Sequence, residues 1–503
     1  MKNPFFYLVL VLAVFAQSGF AQDTPSSNSN LNLNSFKKIG QVDERFQSFN
    51  VEMCEIVGGD FWVPYQLLDP AKVQKEGFAA LKHRISPIDL DQQKLRMLAA
   101  GLGPTYVRVS GTWANTVYFQ DNDEPKLAEA PEGFETVLTR KEWKGVIDFV
   151  NAVDGKLITS FAISEGIRDK DGIWTSNQLE ALLNYTKSIG GEIAGAEMFN
   201  EPSHASHGGA PENYNAADYA EDFVRFKNFV EKAAPGMKIL GPGSTGEGGI
   251  IPGDEGMSTD EILTAENAPE FDVFTYHFYG GVSQRCRGGL TPENALTEDW
   301  LSRTELGLKY YEEARNTYLP DAPIWLTETA EAACGGDPWA ATYLDTFRYL
   351  EQLGRLAIKG VQVVMHNTLA VSEYALLDQK TLDPRPNYWA AFLWNKLMGN
   401  SVYQADFEVE GMDVFIHNLK GSSDGFGVLL VNPSETESTI SIPAKAEKYL
   451  LTADELQSKT LRLNGEILEL TSEGKLPHVS GESIPEGAVK IPAYSILFLA
   501  IEK

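Results

Sequence analysis

Long apolar runs are scarce in this chain of 503 residues. The longest sits at the N-terminus, where Lys2 precedes the apolar stretch 5–15 and Gly19-Phe20-Ala21 closes it with small residues. It is too short to span a bilayer comfortably, and it reads as a secretory signal peptide, 1–21, cleaved after Ala21. The Ser/Asn-rich residues behind it make 22–35 a disordered leader, and the remainder is expected to be secreted or periplasmic. Cysteine is scarce too: Cys54, Cys286 and Cys334 are an odd number, which excludes a disulfide framework. In an exported chain Cys286 and Cys334 can pair across neighbouring loops, leaving Cys54 as a buried thiol in a strand, and the sequence leaves that pairing open. No CxxC or HExxH spacing occurs, so neither a metal nor a cofactor is inferred. Positive charge is in deficit, with 42 Lys and Arg against 70 Asp and Glu and a formal charge of −28. Phosphate- or sulfate-rich polymers need clustered cations, so nucleic acid is excluded as a partner, while a small anionic group can still be held by a few local donors. No membrane insertion and no obligate protein partner are inferred.

What the chain has is alternation. Short apolar runs at 51–56, 105–109, 157–162, 193–199, 238–240, 271–277, 324–327 and 361–366 read as strands. Helical patterns at 87–100, 140–153, 176–189, 216–234, 299–318 and 339–358 separate them. Eight such units predict an α/β fold, a (β/α)8 TIM barrel over 49–400, whose chemistry sits at the strand carboxyl ends. A doubly wound sheet is the alternative, but Gly58-Gly59 lacks the phosphate-loop pattern. Beyond 400 the texture changes: 414–417, 427–431, 438–442, 461–470 and 488–501 alternate without helices, predicting a C-terminal antiparallel β-sandwich over 401–503. Residues 36–48 are a possible extra strand of that sandwich.

Two of the apolar runs end in carboxyls. The run from Ile193 ends in Asn200-Glu201-Pro202, and Pro323-Ile-Trp-Leu-Thr-Glu328 repeats the design. A Pro cannot continue a strand ladder, so Glu201 belongs at the mouth of a site; a solvated strand-end Glu is the plainer reading of that segment by itself. Two carboxyls at one barrel face suit glycoside hydrolysis, one protonating the leaving oxygen while the other attacks the sugar. Glu201 then has to stay protonated and Glu328 ionised, which burial of the first and donors around the second can arrange. Asn200 suits the sugar 2-hydroxyl or, structurally, a loop cap.

With these residues in view, the chain resembles the retaining glycosidases of clan A, and within them glycoside hydrolase family 79, the heparanase and β-glucuronidase family. The matching segments are Thr105-Tyr-Val-Arg-Val-Ser-Gly-Thr112, Thr275-Tyr-His-Phe-Tyr279, Trp325-Leu-Thr-Glu-Thr329 with Cys334-Gly-Gly336, Val363-Val-Met365, Glu373-Tyr374, Pro386-Asn-Tyr-Trp389 and Lys448-Tyr-Leu-Leu451. The likeness runs from about residue 51 to the C-terminus; Asn-Glu-Pro alone is specific only to the clan, whereas the ordered set is specific to the family. It implies that Glu201 is the catalytic proton donor and Glu328 the catalytic nucleophile. It also implies a substrate-binding set: Asn200 and Thr112 for hydroxyls, Tyr279 orienting the nucleophile beside His277, and Tyr374 with the amides of Cys334 and Gly335 for the uronate carboxylate. Neutral donors of that kind hold a carboxylate without competing for Glu328. Cys334 stands where heparanase has Gly, and Asn367 where a Gln is usual.

Arg285 and Arg287, flanking Cys286, can reach an anionic sugar or belong to a solvated loop. His204 and His207 read as exposed loop residues, and Glu197 as a residue of a lower barrel layer facing a Lys or Arg, without a catalytic part. Trp113 and Tyr118-Phe119 are candidates to stack on sugar faces. The 121–140 region is too short for the excised linker of heparanase, so a single chain needing no proteolytic activation is expected. The leading expectation is an exported retaining β-glucuronidase acting on glycosides or uronate-bearing glycans. Its alternatives are a heparanase-like endo-β-glucuronidase on glycosaminoglycan chains and a non-catalytic carbohydrate-binding barrel.

Overall fold

The computed structural model describes residues 30–248 and 256–502, and the expected signal peptide lies outside them. Eight parallel strands close a barrel in chain order: one, Gln47–Glu52; two, Thr105–Ser110; three, Gly155–Ser160; four, Gly195–Glu197; five, Lys238–Ser244; six, Val273–Tyr279; seven, Ile324–Ala330; and eight, Val363–His366. All eight anticipated strands are present, each with one or both bounds moved, and two of the changes have a clear cause. Strand one ends at Glu52, because the Glu55 carboxylate accepts the Glu52 N–H at 2.8 Å and starts the short helix Met53–Val57. Cys54 is therefore a buried, free thiol in a helix rather than in a strand. Strand four is only three residues long, since the chain leaves it for the left-handed turn at Glu201, φ 52°.

Side chains alternate across each strand, and the barrel interior changes character with height. At the floor Tyr106, Ile158, Leu240, Val273, Trp325, Val363 and Met365 form an apolar plug. Two residues further along strands two, six and seven stand Arg108, Thr275 and Thr327, bonded directly or through Glu197 of strand four into a polar layer. The outward residues Phe274, Tyr276, Phe278, Ile324 and Leu326 join the core shared with the surrounding helices. In strand seven this alternation slips once: Leu326 pairs with Tyr276, but Glu328 pairs with His277. Thr327 is the extra residue of this bulge, so Thr327 and Glu328 both face inward, a local device common beside active sites.

The C-terminal antiparallel sheet has nine strands, and Lys37–Gln41 is its edge, paired with Met398–Gln404. Its central strands, Phe426–Asn432 and Ser495–Ile501, are apolar on both faces for a reason. Leu429, Val431, Ile496 and Phe498 pack toward the barrel, while Val428, Leu430, Leu497 and Leu499 pack under a second, two-stranded layer, Ser438–Ile442 with Gly487–Ile491. The run 488–501 is therefore two strands in different layers, separated by Pro492, which has no N–H, and by Tyr494 at φ 49°. The run 461–470 is likewise a hairpin, Leu461–Leu463 and Glu466–Leu468, turning at Asn464-Gly465 with positive φ at both. Residues 30–35, expected within a disordered leader, lie on this domain: Leu31 and Leu33 are buried in its outer core, and the Leu31 N–H donates to Ser441. Among the described residues no helix is long and apolar enough to cross a membrane.

Candidate active site

The upper end of the barrel holds Glu201 and Glu328. Oxygens of their two carboxyls and a ring nitrogen of His277 all lie within 4.8 Å of one another. Glu328 comes from the bulged strand seven and is buried; Tyr279 donates its hydroxyl to one carboxylate oxygen at 2.6 Å, and Arg108 donates to the other at 2.9 Å. Both oxygens thus have donors, as an ionised carboxylate requires. Glu201 begins the short turn Pro202–His204 and keeps its side chain partly open to solvent. One oxygen of Glu201 lies 3.0 Å from Nδ1 of His277.

Arg108 fixes the proton on that histidine. Its guanidinium lies 3.2 Å from Nε2 of His277 and has no acceptor atom, so Nε2 accepts and Nδ1–H is the donor to Glu201. The consequence opposes the expectation that burial keeps Glu201 protonated. Burial does push its carboxyl up, but the hydrogen bond from His277 and the positive charge of Arg108 outweigh it and hold the free enzyme's Glu201 below the usual carboxylate range. Arg108 also donates to Asn200 at 2.7 Å and to Glu197 at 2.8 Å. Burial raises Glu197 too, and the charge and hydrogen bonds of Arg108 bring it net below its ordinary value. Thr275 and Thr327 donate to its other oxygen, at 2.9 Å each. Glu197 is thus the counter-charge beneath the site.

The backbone on either side of Asn200 is tied to the loop after strand two: the Asn115 side-chain amide donates to the Asn200 carbonyl and accepts its N–H, at 2.9 and 2.8 Å. Thr112 starts the same turn, Thr112–Thr116. Just before it, Gly111 has φ 93°, and a Cβ there would collide with the Glu52 carboxyl at 1.7 Å. Asn367, following strand eight, donates within reach of Glu52 (3.1 Å), Tyr279 (3.0 Å) and Tyr374 (3.4 Å), so one amide bridges the nucleophile's tyrosine and the far wall.

That wall is built by the loops after strands six, seven and eight. Cys286 and Cys334 are disulfide-bonded, with Cα atoms 6.4 Å apart. Cys334 (φ 62°) and Gly335 (φ 82°) adopt left-handed backbone. The Gly335 carbonyl is taken by Ser372 and Glu373, and Gly336 lies against the Tyr374 ring. Arg285 is buried beside Gly335. The reacting and polar binding residues anticipated for the site are therefore at this end of the barrel, in two adjoining groups, whereas of the stacking candidates Phe119 is buried in the core against Tyr185 and Tyr118 lies on Phe134. Glu201, Glu328, Asn200, His277 and Tyr279 form the first, with Thr112 at its rim. Cys334, Gly335, Tyr374 and Arg285 form the second, and Asn367 joins them.

Sequence reasoning overlooked Arg108, Glu52, Asn115, Tyr65 and Glu373. Arg108 was signalled by its parity: an arginine two residues from Tyr106 in an apolar strand points inward and needs acids there. Glu52 ends strand one as Glu328 lies near the end of strand seven, but the anticipated run 51–56 lies four residues too far along for that to be visible. Its carboxyl is pushed far up, by burial first and then by the charge of Glu328.

Comparison with known proteins agrees with this architecture. Residues 70–354 match the model of the glycosyl hydrolase family 79 N-terminal domain. The chain is 27% identical over 481 residues to a heparanase of Bos taurus, covering 82% of this chain and 84% of the relative. It is 26% identical to a hyaluronoglucuronidase of Hirudo nipponia, covering 78% and 86%. Among solved structures, a 4-O-α-L-rhamnosyl-β-D-glucuronidase from Fusarium oxysporum superposes with a TM-score of 0.62 at 13% identity, over 92% of this chain and 97% of that one, a likeness of fold. A family match over more than half of the chain, on a barrel that brings two carboxyls together at its upper end, makes this protein a glycoside hydrolase belonging to glycosyl hydrolase family 79.

Proposed function

We propose that the enzyme is an exported, retaining β-glucuronidase that releases terminal β-linked glucuronate from glycosides or glycans. The observation that carries the proposal is the separation of the two carboxyls, with oxygens within 4.8 Å. Retaining glycosidases hold the pair about 5–5.5 Å apart, whereas inverting ones leave about 6.5–9.5 Å for a water. Glu328, doubly hydrogen-bonded, attacks the anomeric carbon. Glu201 protonates the departing oxygen and later takes the proton from the water that releases the sugar. Its low pKa in the free enzyme suits the second step; in the first, a bound sugar covers its remaining open face and desolvation raises it. Tyr279 orients the nucleophile, Asn200 and Thr112 take hydroxyls, His277 sets the protonation of Glu201, and Tyr374 with the peptide N–H groups of Cys334 and Gly335 receives the carboxylate. Neither of those N–H groups donates to another described residue.

A relative named hyaluronoglucuronidase supports glucuronate as the sugar. The Cys286–Cys334 bridge supports export, since such bonds persist in oxidising compartments. Relatives named heparanase favour a second reading, endo-cleavage of a sulfated glycan. The formal charge of −28 weighs against it, because a sulfated chain needs clustered cations. The deciding experiment compares chromogenic β-glucuronide, β-glucoside and β-xyloside, with the anomer of the first-formed product followed by NMR. A preference for glucuronide and a β-configured first product are expected. An α-configured first product ends the retaining assignment, and indifference to the C5 carboxylate ends the uronate assignment.

A further inference from the structure

The guanidinium of Arg285 is enclosed but unclaimed. Its side chain is fully buried, and none of its three nitrogens has a hydrogen-bond partner among the described residues. The Tyr65 ring lies 4.4 Å from it. The charged groups facing it are Glu373, whose nearest oxygen is 3.9 Å away, and Asp337. Neither acid hydrogen-bonds the guanidinium: Glu373 accepts the Tyr65 N–H, and one oxygen of Asp337 accepts the Gln284 N–H and the Tyr65 hydroxyl. They hold the cation by their field and leave its five N–H groups without acceptors, a state that is costly for a buried charge.

Its position says which anion. Nη1 stands against the Gly335 backbone, where an added Cβ would come within 2.6 Å. Gly336 packs on Tyr374, whose hydroxyl reaches Asn367, which reaches Tyr279, the donor to Glu328. A continuous line of contacts thus runs from the attacking carboxylate to Arg285. The arginine does not compete for Glu328, which Arg108 already occupies. The disulfide joins the residue after Arg285 to the residue before Gly335, and so fixes guanidinium and peptide relative to each other.

We infer that Arg285 is the specificity-determining cation of the uronate pocket, supplying the positive charge that Tyr374 and the peptide N–H groups lack, and that the Cys286–Cys334 bridge sets its position. The inference rests on the β-glucuronidase reading and assigns the discrimination between a C5 carboxylate and a C5 hydroxymethyl to one buried residue.

The test is the ratio of kcat/KM on p-nitrophenyl β-glucuronide to that on p-nitrophenyl β-glucoside. In Arg285→Gln the ratio falls by about 10- to 100-fold, the worth of a buried positive charge directly behind the peptide that receives the carboxylate, mostly through KM of the glucuronide. Arg285→Lys, which keeps the charge but loses the fork stacked on Tyr65, falls less. In Cys286→Ser/Cys334→Ser the ratio falls by only about 3- to 10-fold, because Ser283 still bonds to the Ala333 and Cys334 carbonyls. Should Arg285→Gln fail to fold, the double cysteine variant carries the same prediction. A ratio unchanged within twofold, or a parallel loss on both substrates, overturns the role of Arg285. A wild type that prefers the glucoside instead ends the uronate reading itself, before any variant is compared.

Discussion

Glu201 gives up its proton readily in the free enzyme. His277 donates to its carboxylate, which holds it below the usual carboxylate range. A lowered carboxyl loses its proton earlier as pH rises, so kcat/KM, which reports the free enzyme, declines from acid toward neutral pH. His277→Leu, removing the donor, moves that declining limb to higher pH; a limb that stays put in the variant's pH profile means His277 does not set the acid. Glu201→Ala spares substrates with good leaving groups, such as a dinitrophenyl glucuronide, far more than an unactivated alkyl glucuronide, because the former needs little protonation. Equal losses on both contradict the acid role. Arg108 neutralises two buried carboxylates at once. Arg108→Met leaves both uncompensated and is expected to cost about 3–5 kcal/mol of stability, read from denaturant unfolding, besides turnover. Of these residues the two glutamates were legible because each ends an apolar run. Arg108 sat in a quoted motif without a role, since a buried ion pair joins residues whose closeness only the closed barrel creates.

The helix Tyr343–Ile358 shows what an element adds. Almost all of it is buried, because it packs on the barrel with one side and on the C-terminal sheet with the other. Gly354 is where the sheet approaches: a Cβ there would stand 2.3 Å from the Phe415 ring. Arg355, one residue on, pairs with Glu351 and Glu305 and reaches Asp413 of the sheet. Gly354→Ala is therefore expected to destabilise the protein by about 1–3 kcal/mol, although alanine is the better helix former. A rise in the unfolding midpoint would mean that the ring yields and the contact is loose. Helices were easier to read than strands: Arg140–Ala152 begins with the capping pair Thr139 and Glu142, and Ala216–Ala233 with Asn215 and Asp218. The strand-seven bulge gave no sign in the sequence, since Thr327-Glu328 fits either face until its partner strand is known.

At the scale of the whole molecule, buried titratable groups set the pH of greatest stability. Burial brings His366 down to about 3 and His417 to about 4, from 6.5. Both stay neutral in the fold, so the unfolded chain binds more protons below about pH 6.5, and stability falls as the solution is acidified from there toward pH 3. Burial raises Glu55 from 4.5 to about 8 and pushes Glu52, Glu331 and Glu351 well up. These keep their protons when folded, so stability falls as pH rises from about 4.5 through 8. The melting temperature should peak in the mildly acidic window between, near pH 5–6. A midpoint that climbs steadily to pH 8 would show that the buried carboxyls are ionised in the fold.

The sequence by itself determined the order of elements, the closed barrel followed by antiparallel strands, and the two carboxyls at strand ends, because periodicity and chain breaks are local properties written in neighbouring residues. It could not decide which inward side chains meet. The ion-paired layer of Arg108 and Glu197, the proton position on His277, the pairing of Cys286 with Cys334 and the enclosure of Arg285 join segments tens to hundreds of residues apart. Burial and mutual approach arise only when the barrel closes and excludes water, and these decide charge and specificity.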